Sequence, residues 1–237
     1  MNPPLAWSER LKRYRKAKDE ATARILMSAP EKTTLLRAIP FPGVVIILGA
    51  RGEGKSALAY EIMYKLHSSK KLAGAVLFPA PMAKQKQKTL PKWVKVVSSV
   101  NSFPQKAVCL MDEAAQVAHA RRSQSAEAVL IDNLISISRH RQQLIIVVVH
   151  HSRKLDLNII HDSDRLIWKR PTEAHALFER DEMQLFTRKA IDFFDSLKTD
   201  RQRLSHCYVM DFHHLRFSYF TNGLPPWWSE ALSAGWA

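Results

Sequence analysis

The fold is decided by residues 43–56, which have the sequence GVVIILGARGEGKS. The run at 43–48 is continuously apolar, which is typical of a parallel strand that is buried on both faces. Residues 49–56 match the pattern G-x-x-x-x-G-K-[ST], in which glycines let backbone N–H groups approach phosphate oxygens. A helical segment from Lys55 to Leu66 completes a predicted strand, phosphate-binding loop and helix.

Glycine usage supports this interpretation, because four of the seven glycines in the chain fall within residues 43–54. The stretch contains no G-x-G-x-x-G, so a dinucleotide-binding loop is excluded. We expect Lys55 to reach the β- and γ-phosphates of a nucleoside triphosphate and the Ser56 hydroxyl to ligate Mg²⁺. The predicted nucleotide contacts are Gly49, Ala50, Arg51, Gly52, Glu53, Gly54, Lys55, Ser56 and Ala57.

A second motif is the acidic pair that ends the apolar run at residues 107–111. Parallel sheets bind ligands at the carboxyl ends of their strands, and both Asp112 and Glu113 follow such an end. We therefore expect Asp112 to hold the Mg²⁺ shell and Glu113 to polarise the attacking water as a general base. The alternative is a solvated loop whose acids cap a helix; the phosphate loop favours the functional interpretation.

A third buried run, at residues 144–149, ends at His150. If this strand lies beside the phosphate-loop strand, the imidazole is placed to sense the γ-phosphate. The alternative is a surface histidine at a strand end.

Two arginines, Arg139 and Arg141, come before that strand, at the end of a predicted helix. One hypothesis is that one of them acts as an arginine finger on the nucleotide of a neighbouring subunit. The alternative is that these cations complement the helix dipole. Arg121 and Arg122 are rival candidates for the finger.

The alternation of apolar runs with helical stretches predicts an α/β fold with right-handed crossovers and a parallel sheet. Three units are expected. Residues 1–40 form a basic helical appendage, residues 41–172 an ATPase core, and residues 173–237 a helix, a hairpin and an aromatic tail packed on the core.

Composition favours an anionic partner. The chain has 237 residues, with 36 Lys plus Arg against 22 Asp plus Glu, which gives a net charge of +14. Its 46% hydrophobic content excludes wholesale disorder. Nucleic acid is the leading candidate partner, and the alternative is that the charge only confers solubility. The candidate DNA contacts are Lys84, Lys86 and Lys88, in an expected basic loop, with Arg121 and Arg122.

Cysteine usage and hydropathy bear on location. Two cysteines cannot build a disulfide framework, so an intracellular, reducing compartment is expected. The longest apolar runs are far shorter than the roughly 20 residues needed to span a bilayer. The start of the chain lacks the features of a secretory signal, so no transmembrane or targeting segment is expected.

The order of these features resembles the HerA–FtsK lineage of P-loop ATPases, which includes the genome-packaging ATPases of membrane-containing viruses. The resemblance covers residues 43–170 and is carried by the phosphate loop, the strand ending in Asp112 and Glu113, and residues 139–153 and 159–167. It implies a three-layer P-loop NTPase fold of the additional-strand class, with a mostly parallel central sheet. The lineage usually has Gln at the tip of the fourth strand, where this sequence has His150.

The resemblance also implies a function, namely a Mg²⁺-ATP-driven translocase of double-stranded DNA, most like a viral genome-packaging motor. The implied partners are DNA, copies of the same chain in a ring of five or six, and a capsid vertex or other virion protein. The host cytoplasm or the virion is the implied location. The sequence is also similar to the zonula occludens toxin-like ATPases of filamentous phages. The rival hypotheses are an assembly or secretion ATPase acting on a protein or a membrane surface, and a non-catalytic nucleotide switch.

Overall fold

A nine-stranded mixed sheet forms the centre of the described part of the molecule. The structure is a computed structural model that describes residues 27–112 and 135–229, together with residues 20, 23, 133 and 232. The strands are β1 (Glu31–Lys32), β2 (Gly43–Leu48), β3 (Ala73–Leu77), β4 (Val94–Val97), β5 (Ala107–Met111), β6 (Gln143–Val148), β7 (Arg165–Trp168), β8 (His206–Asp211) and β9 (Arg216–Thr221). The α-helices are α1 (Leu35–Ala38), α2 (Lys55–Lys70), α3 (Ala80–Thr89), α4 (Leu157–His161), α5 (Glu173–Leu177), α6 (Asp181–Asp195) and α7 (Asp200–Ser205).

The strand order places the phosphate loop and Asp112 at the same edge of the sheet. Across the sheet the order is β1-β9-β8-β7-β2-β6-β5-β3-β4. Strand β6 lies between β2 and β5 and is parallel to both, with Ile145 opposite Val44 on one side and Cys109 on the other. The predicted extra strand between the two nucleotide-binding strands is thereby confirmed.

Helices cover both faces of the sheet, because β2 is apolar throughout and its side chains alternate between the faces. Val44 and Ile46 pack in one core with residues of α6, such as Phe194. Val45 and Ile47 pack in the other core, where α2 contributes side chains that include Leu58 and Ile62. These two cores give the predicted three-layer α/β architecture.

The C-terminal hairpin is part of the sheet. Strand β8 runs antiparallel to β7, with Tyr208 opposite Trp168, and β9 runs antiparallel to β8. The helix and the hairpin predicted within residues 173–237 are both present. The hairpin joins the sheet because β8 is apolar on both faces: Tyr208 and Met210 lie in one core, and Cys207 and Val209 in the other.

Residues 31–39 of the N-terminal segment pack against the rest of the protein. Most of residues 1–26 lies outside the described part of the chain. Strand β1 pairs in parallel with β9, placing Lys32 opposite Tyr219. Leu35, Ala38 and Ile39 are buried in the core. Residues 31–39 are therefore packed on the body, and the division at residue 40 stays a prediction.

The expected basic loop at residues 84–88 is a helix. Pro81 stands in the first turn of α3, where a proline is well tolerated. Lys84 and Lys88 are exposed on this helix. In the described chain, no helix combines the length and the apolar character that crossing a bilayer requires.

Candidate nucleotide-binding site

The phosphate loop rests on the chain that leaves β7. Gly49 has φ +142°, and a Cβ added to it would lie 2.1 Å from the carbonyl oxygen of Lys169. The N–H of Ala50 donates to the carbonyl of Arg170 at 3.2 Å. Gly52, with φ +81°, turns the loop toward α2. The loop therefore has a fixed base, and only glycine fits at its first position.

Lys169 ties this base to the C-terminal hairpin. Its side chain is fully buried, and its ammonium donates to the carbonyl of Leu204, to the carbonyl of His206 at 3.0 Å and to Oδ1 of Asn222 at 2.8 Å. Burial lowers the pKa of Lys169. These oxygen acceptors satisfy a group that would otherwise be costly to bury.

Lys55 is the first residue of α2, and only 7% of it is exposed. Its Nζ donates to the carbonyl of Ala50 at 2.7 Å and lies 3.2 Å from Nδ1 of His150. Because an ammonium group can only donate, His150 accepts at Nδ1 and its ring is neutral. The histidine that follows β6 thus lies beside the phosphate-binding lysine, and γ-phosphate sensing by His150 stays a prediction.

A cavity of about 550 Å³ lies at the carboxyl edge of β2, β6 and β5. Lys55, Ser56, Asp112 and His150 all line it, so residues from three different segments meet there. Asp112 is 6% exposed. The sequence motifs therefore converge on one cavity, as the position of the strands requires.

Two of the lining residues have the chemistry of a magnesium site. Ser56 offers a hydroxyl and Asp112 a carboxylate, and hard oxygen donors of this kind suit Mg²⁺, which binds few protein ligands alongside water and phosphates. The residues present therefore fit the ion. Ser56 and Asp112 are the groups that would hold it.

The arginines predicted as fingers lie at the other end of the sheet. Arg139 Nη2 donates to Oδ1 of Asp164 at 2.7 Å, and Arg141 Nη2 donates to the carbonyl of Phe103 at 2.5 Å. Both precede β6 in a turn, so they lie at its amino end, whereas the phosphate loop lies at the carboxyl edge. They are remote from the cavity of their own chain, and a contact with a neighbour's nucleotide stays a prediction.

The remaining predicted site residues include three that the structure does not describe and one that is buried. Glu113, Arg121 and Arg122 lie outside the described residues. Lys86 was predicted to contact DNA, but it is 8% exposed, and its Nζ lies 5.6 Å from the centroid of the Phe78 ring. Burial lowers its pKa. Lys86 is therefore withdrawn from the DNA-facing set, because its ammonium points into the protein.

Sequence reasoning missed residues that α5, α7 and the C-terminal tail bring to the site. Leu204 and Trp228 line the cavity. The His151 ring stacks on His175, with centroids 4.3 Å apart and planes 18° apart. None of these lies within a recognisable motif, so only the tertiary structure could place them.

Burial and the nearby charges of His151 and Lys55 lower the pKa of His175 to about 4, against the opposing effect of Glu179. An unfolded histidine has a pKa of about 6.5. Between these values protonation favours the unfolded chain, so we expect the free energy of unfolding to fall as the pH drops from about 6.5 toward 4. Urea unfolding at several pH values should show this fall, and His175→Gln should flatten it. Equal pH slopes for the two proteins would contradict the assignment.

Comparison with known proteins finds solved structures with a similar fold. No family model matches this sequence, and no curated protein does. Among solved structures, the chain is similar to the genome packaging NTPase B204 from Sulfolobus turreted icosahedral virus 2 in complex with sulfate. The two are 14% identical with a TM-score of 0.56, over 77% of this chain and 97% of that one.

Two further solved structures are similar. The same NTPase in complex with ATP-γS has a TM-score of 0.54 and 14% identity, over 75% of this chain and 95% of that one. The pCW3 conjugation coupling protein TcpA, a monomer form with ATP-γS, has a TM-score of 0.53 and 13% identity, over 77% of this chain and 60% of that one. These proteins are P-loop ATPases, and the likeness shows that this chain has the P-loop NTPase fold.

Proposed function

We propose that this protein is a Mg²⁺-ATP-driven translocase of double-stranded DNA with a role in viral genome packaging. The observation that carries the proposal is the meeting of Lys55, Ser56 and Asp112 in one cavity, at the carboxyl edge of a sheet with the additional-strand order. The similarity in fold to a genome packaging NTPase, over 97% of that protein's length, supports the packaging role.

Three residues of the cavity have a part in this chemistry. Lys55 binds the β- and γ-phosphates, and its charge offsets the charge that develops during phosphoryl transfer. Mg²⁺ held by Ser56 and Asp112 would supply further neutralisation of the same phosphates. Glu113, next in sequence to Asp112, is the proposed general base for the attacking water.

His150 links the presence of phosphate to the tip of β6. Its Nδ1 accepts from the Lys55 ammonium in this structure, 3.2 Å away. Phosphate oxygens that engage the ammonium compete with the imidazole, so His150 loses this donor when a nucleotide binds. The histidine can then bond to the γ-phosphate through a ring N–H, which is the sensing role proposed for it.

The proposal includes a homo-oligomeric ring of five or six chains, working in the host cytoplasm or on the virion, at a capsid vertex or beside another virion protein. Arg139 extends a side chain that is 61% exposed, at the end of the sheet opposite the cavity. A neighbour in a ring would bring its own cavity toward that end. Arg139 or Arg141 then acts on the neighbour's nucleotide.

DNA contact is assigned to exposed lysines. Lys84 and Lys88 are exposed on α3, and the whole chain carries a net charge of +14. Contacts between lysines and backbone phosphates are largely independent of base sequence and weaken as salt rises. Arg121 and Arg122 remain candidates for the same surface.

The test is ATP hydrolysis with and without double-stranded DNA. We expect DNA to raise turnover severalfold at about 50 mM salt and the stimulation to disappear by about 200 mM salt. Lys84→Ala combined with Lys88→Ala should reduce the stimulation and leave the basal rate unchanged. A robust basal rate that DNA never changes would retain the ATPase and overturn the translocase.

A further inference from the structure

The C-terminal tail contributes a tryptophan to the lining of the candidate nucleotide cavity. Trp228 lines the cavity together with Lys55 and Ser56. The backbone N–H of Trp228 donates to the carbonyl of Pro225 at 2.9 Å in a tight turn. Pro225 before it and Leu232 after it are both buried, so the turn is fixed on both sides.

The ring of Tyr60 packs against the Trp228 indole. The two ring centroids are 5.8 Å apart, the planes are tilted by 52°, and Tyr60 is fully buried. Tyr60 is five residues after Lys55 on the same helix, which is about 7.5 Å along the axis at about 1.5 Å per residue. The indole therefore packs against α2 beyond the helical turn that carries the phosphate-binding lysine.

A second apolar side chain lines the same cavity. Leu204, the penultimate residue of α7, is 49% exposed, although large apolar side chains gain from burial. Phosphates and Mg²⁺ make no use of an exposed leucine or an indole face. The flat base of a nucleotide, which a sugar joins to the phosphates, could contact both Leu204 and Trp228.

We propose that Trp228 and Leu204 form the base-binding part of the site and that the purine of the nucleotide stacks on the Trp228 ring. This rests on the proposed nucleotide site, since the base reaches the indole only if Lys55 holds the phosphates. Stacking on one aromatic ring is tolerant of base identity because every base has a π-face. The C-terminal tail thus supplies base binding to a site whose phosphate-binding residues lie in the β2–α2 loop.

The experiment compares two ligands that differ by the nucleoside, Mg²⁺-ATP and Mg²⁺-tripolyphosphate, by titration calorimetry. Trp228→Ala should weaken ATP binding about tenfold and change tripolyphosphate binding less than about twofold. Trp228→Phe keeps a ring and should restore ATP binding to within about threefold of the original protein. Trp227→Phe is the matched control, because the Trp227 ring also packs on Tyr60, with centroids 5.5 Å apart, and Trp227 does not line the cavity.

Indole fluorescence gives a second readout. ATP should quench emission in the original protein and in Trp227→Phe, tripolyphosphate should not, and the quenching should be lost in Trp228→Phe. Equal loss of both ligands in Trp228→Ala overturns the inference, because the ring would then act only as a structural support. Equal affinity of the original protein for ATP and tripolyphosphate overturns it while leaving the phosphate grip intact. If the original protein binds neither ligand, the nucleotide site itself is wrong.

Discussion

Replacing Lys55 with alanine is expected to lower ATP turnover by about 100-fold or more. The ammonium stands at the first turn of α2, in the cavity that Ser56 and Asp112 also line. Removing it leaves the developing charge on the γ-phosphate without its main protein cation. Steady-state hydrolysis of Mg²⁺-ATP by the purified variant is the measurement.

Lys92→Ala is the control for this substitution, because Lys92 is an exposed lysine in the loop before β4. It removes the same charge without touching the cavity, so its turnover should match that of the unaltered chain. Circular dichroism should show that both variants keep the fold. A folded Lys55→Ala protein that hydrolyses ATP at the original rate would refute the phosphate-loop assignment.

Gly49→Ala is expected to destabilise the protein by about 3 kcal/mol or more, or to prevent folding. Its added Cβ would meet the Lys169 carbonyl at 2.1 Å, and φ is +142°, which L-residues rarely adopt. The carbonyl belongs to the backbone and cannot turn aside as a flexible side chain could. The loop or the end of β7 must therefore shift.

Gly52→Ala separates backbone strain from collision. Gly52 also has a positive φ, at +81°, but nothing lies within 4 Å of its added Cβ. We expect a cost of about 1–2 kcal/mol there, from the left-handed conformation alone. Denaturant titration of both variants measures the difference, and equal stabilities would show that the contact between the loop and β7 is not tight.

The phosphate loop and the acidic strand could be predicted because each depends on local pattern, whereas the order of the central strands was implied by the resemblance to the HerA–FtsK lineage. A buried strand followed by G-x-x-x-x-G-K-[ST] has one common structural outcome. Asp112 then follows from the rule that parallel sheets bind at their carboxyl edge. The helix predicted within residues 173–237 likewise corresponds to α6.

Other features depend on contacts between distant segments, which no window of sequence contains. Lys86 looks like any other lysine in its basic segment, yet helix formation at residues 80–89 turns it inward over Phe78. Strand β1 has two residues and too little pattern to detect. Trp228 reaches the cavity only because the tail folds back onto Tyr60.

The buried ammonium of Lys169 limits how this protein can be dissected. A fragment ending at residue 172 would keep every nucleotide motif, but it would strip that cation of its partners on α7, β8 and the segment after β9. The carbonyl of Lys169 also packs against Gly49, so the loss of these partners would disturb the phosphate loop. Shortened versions made for crystallography or engineering therefore need residues 173–237, even though that segment contains none of the recognisable motifs.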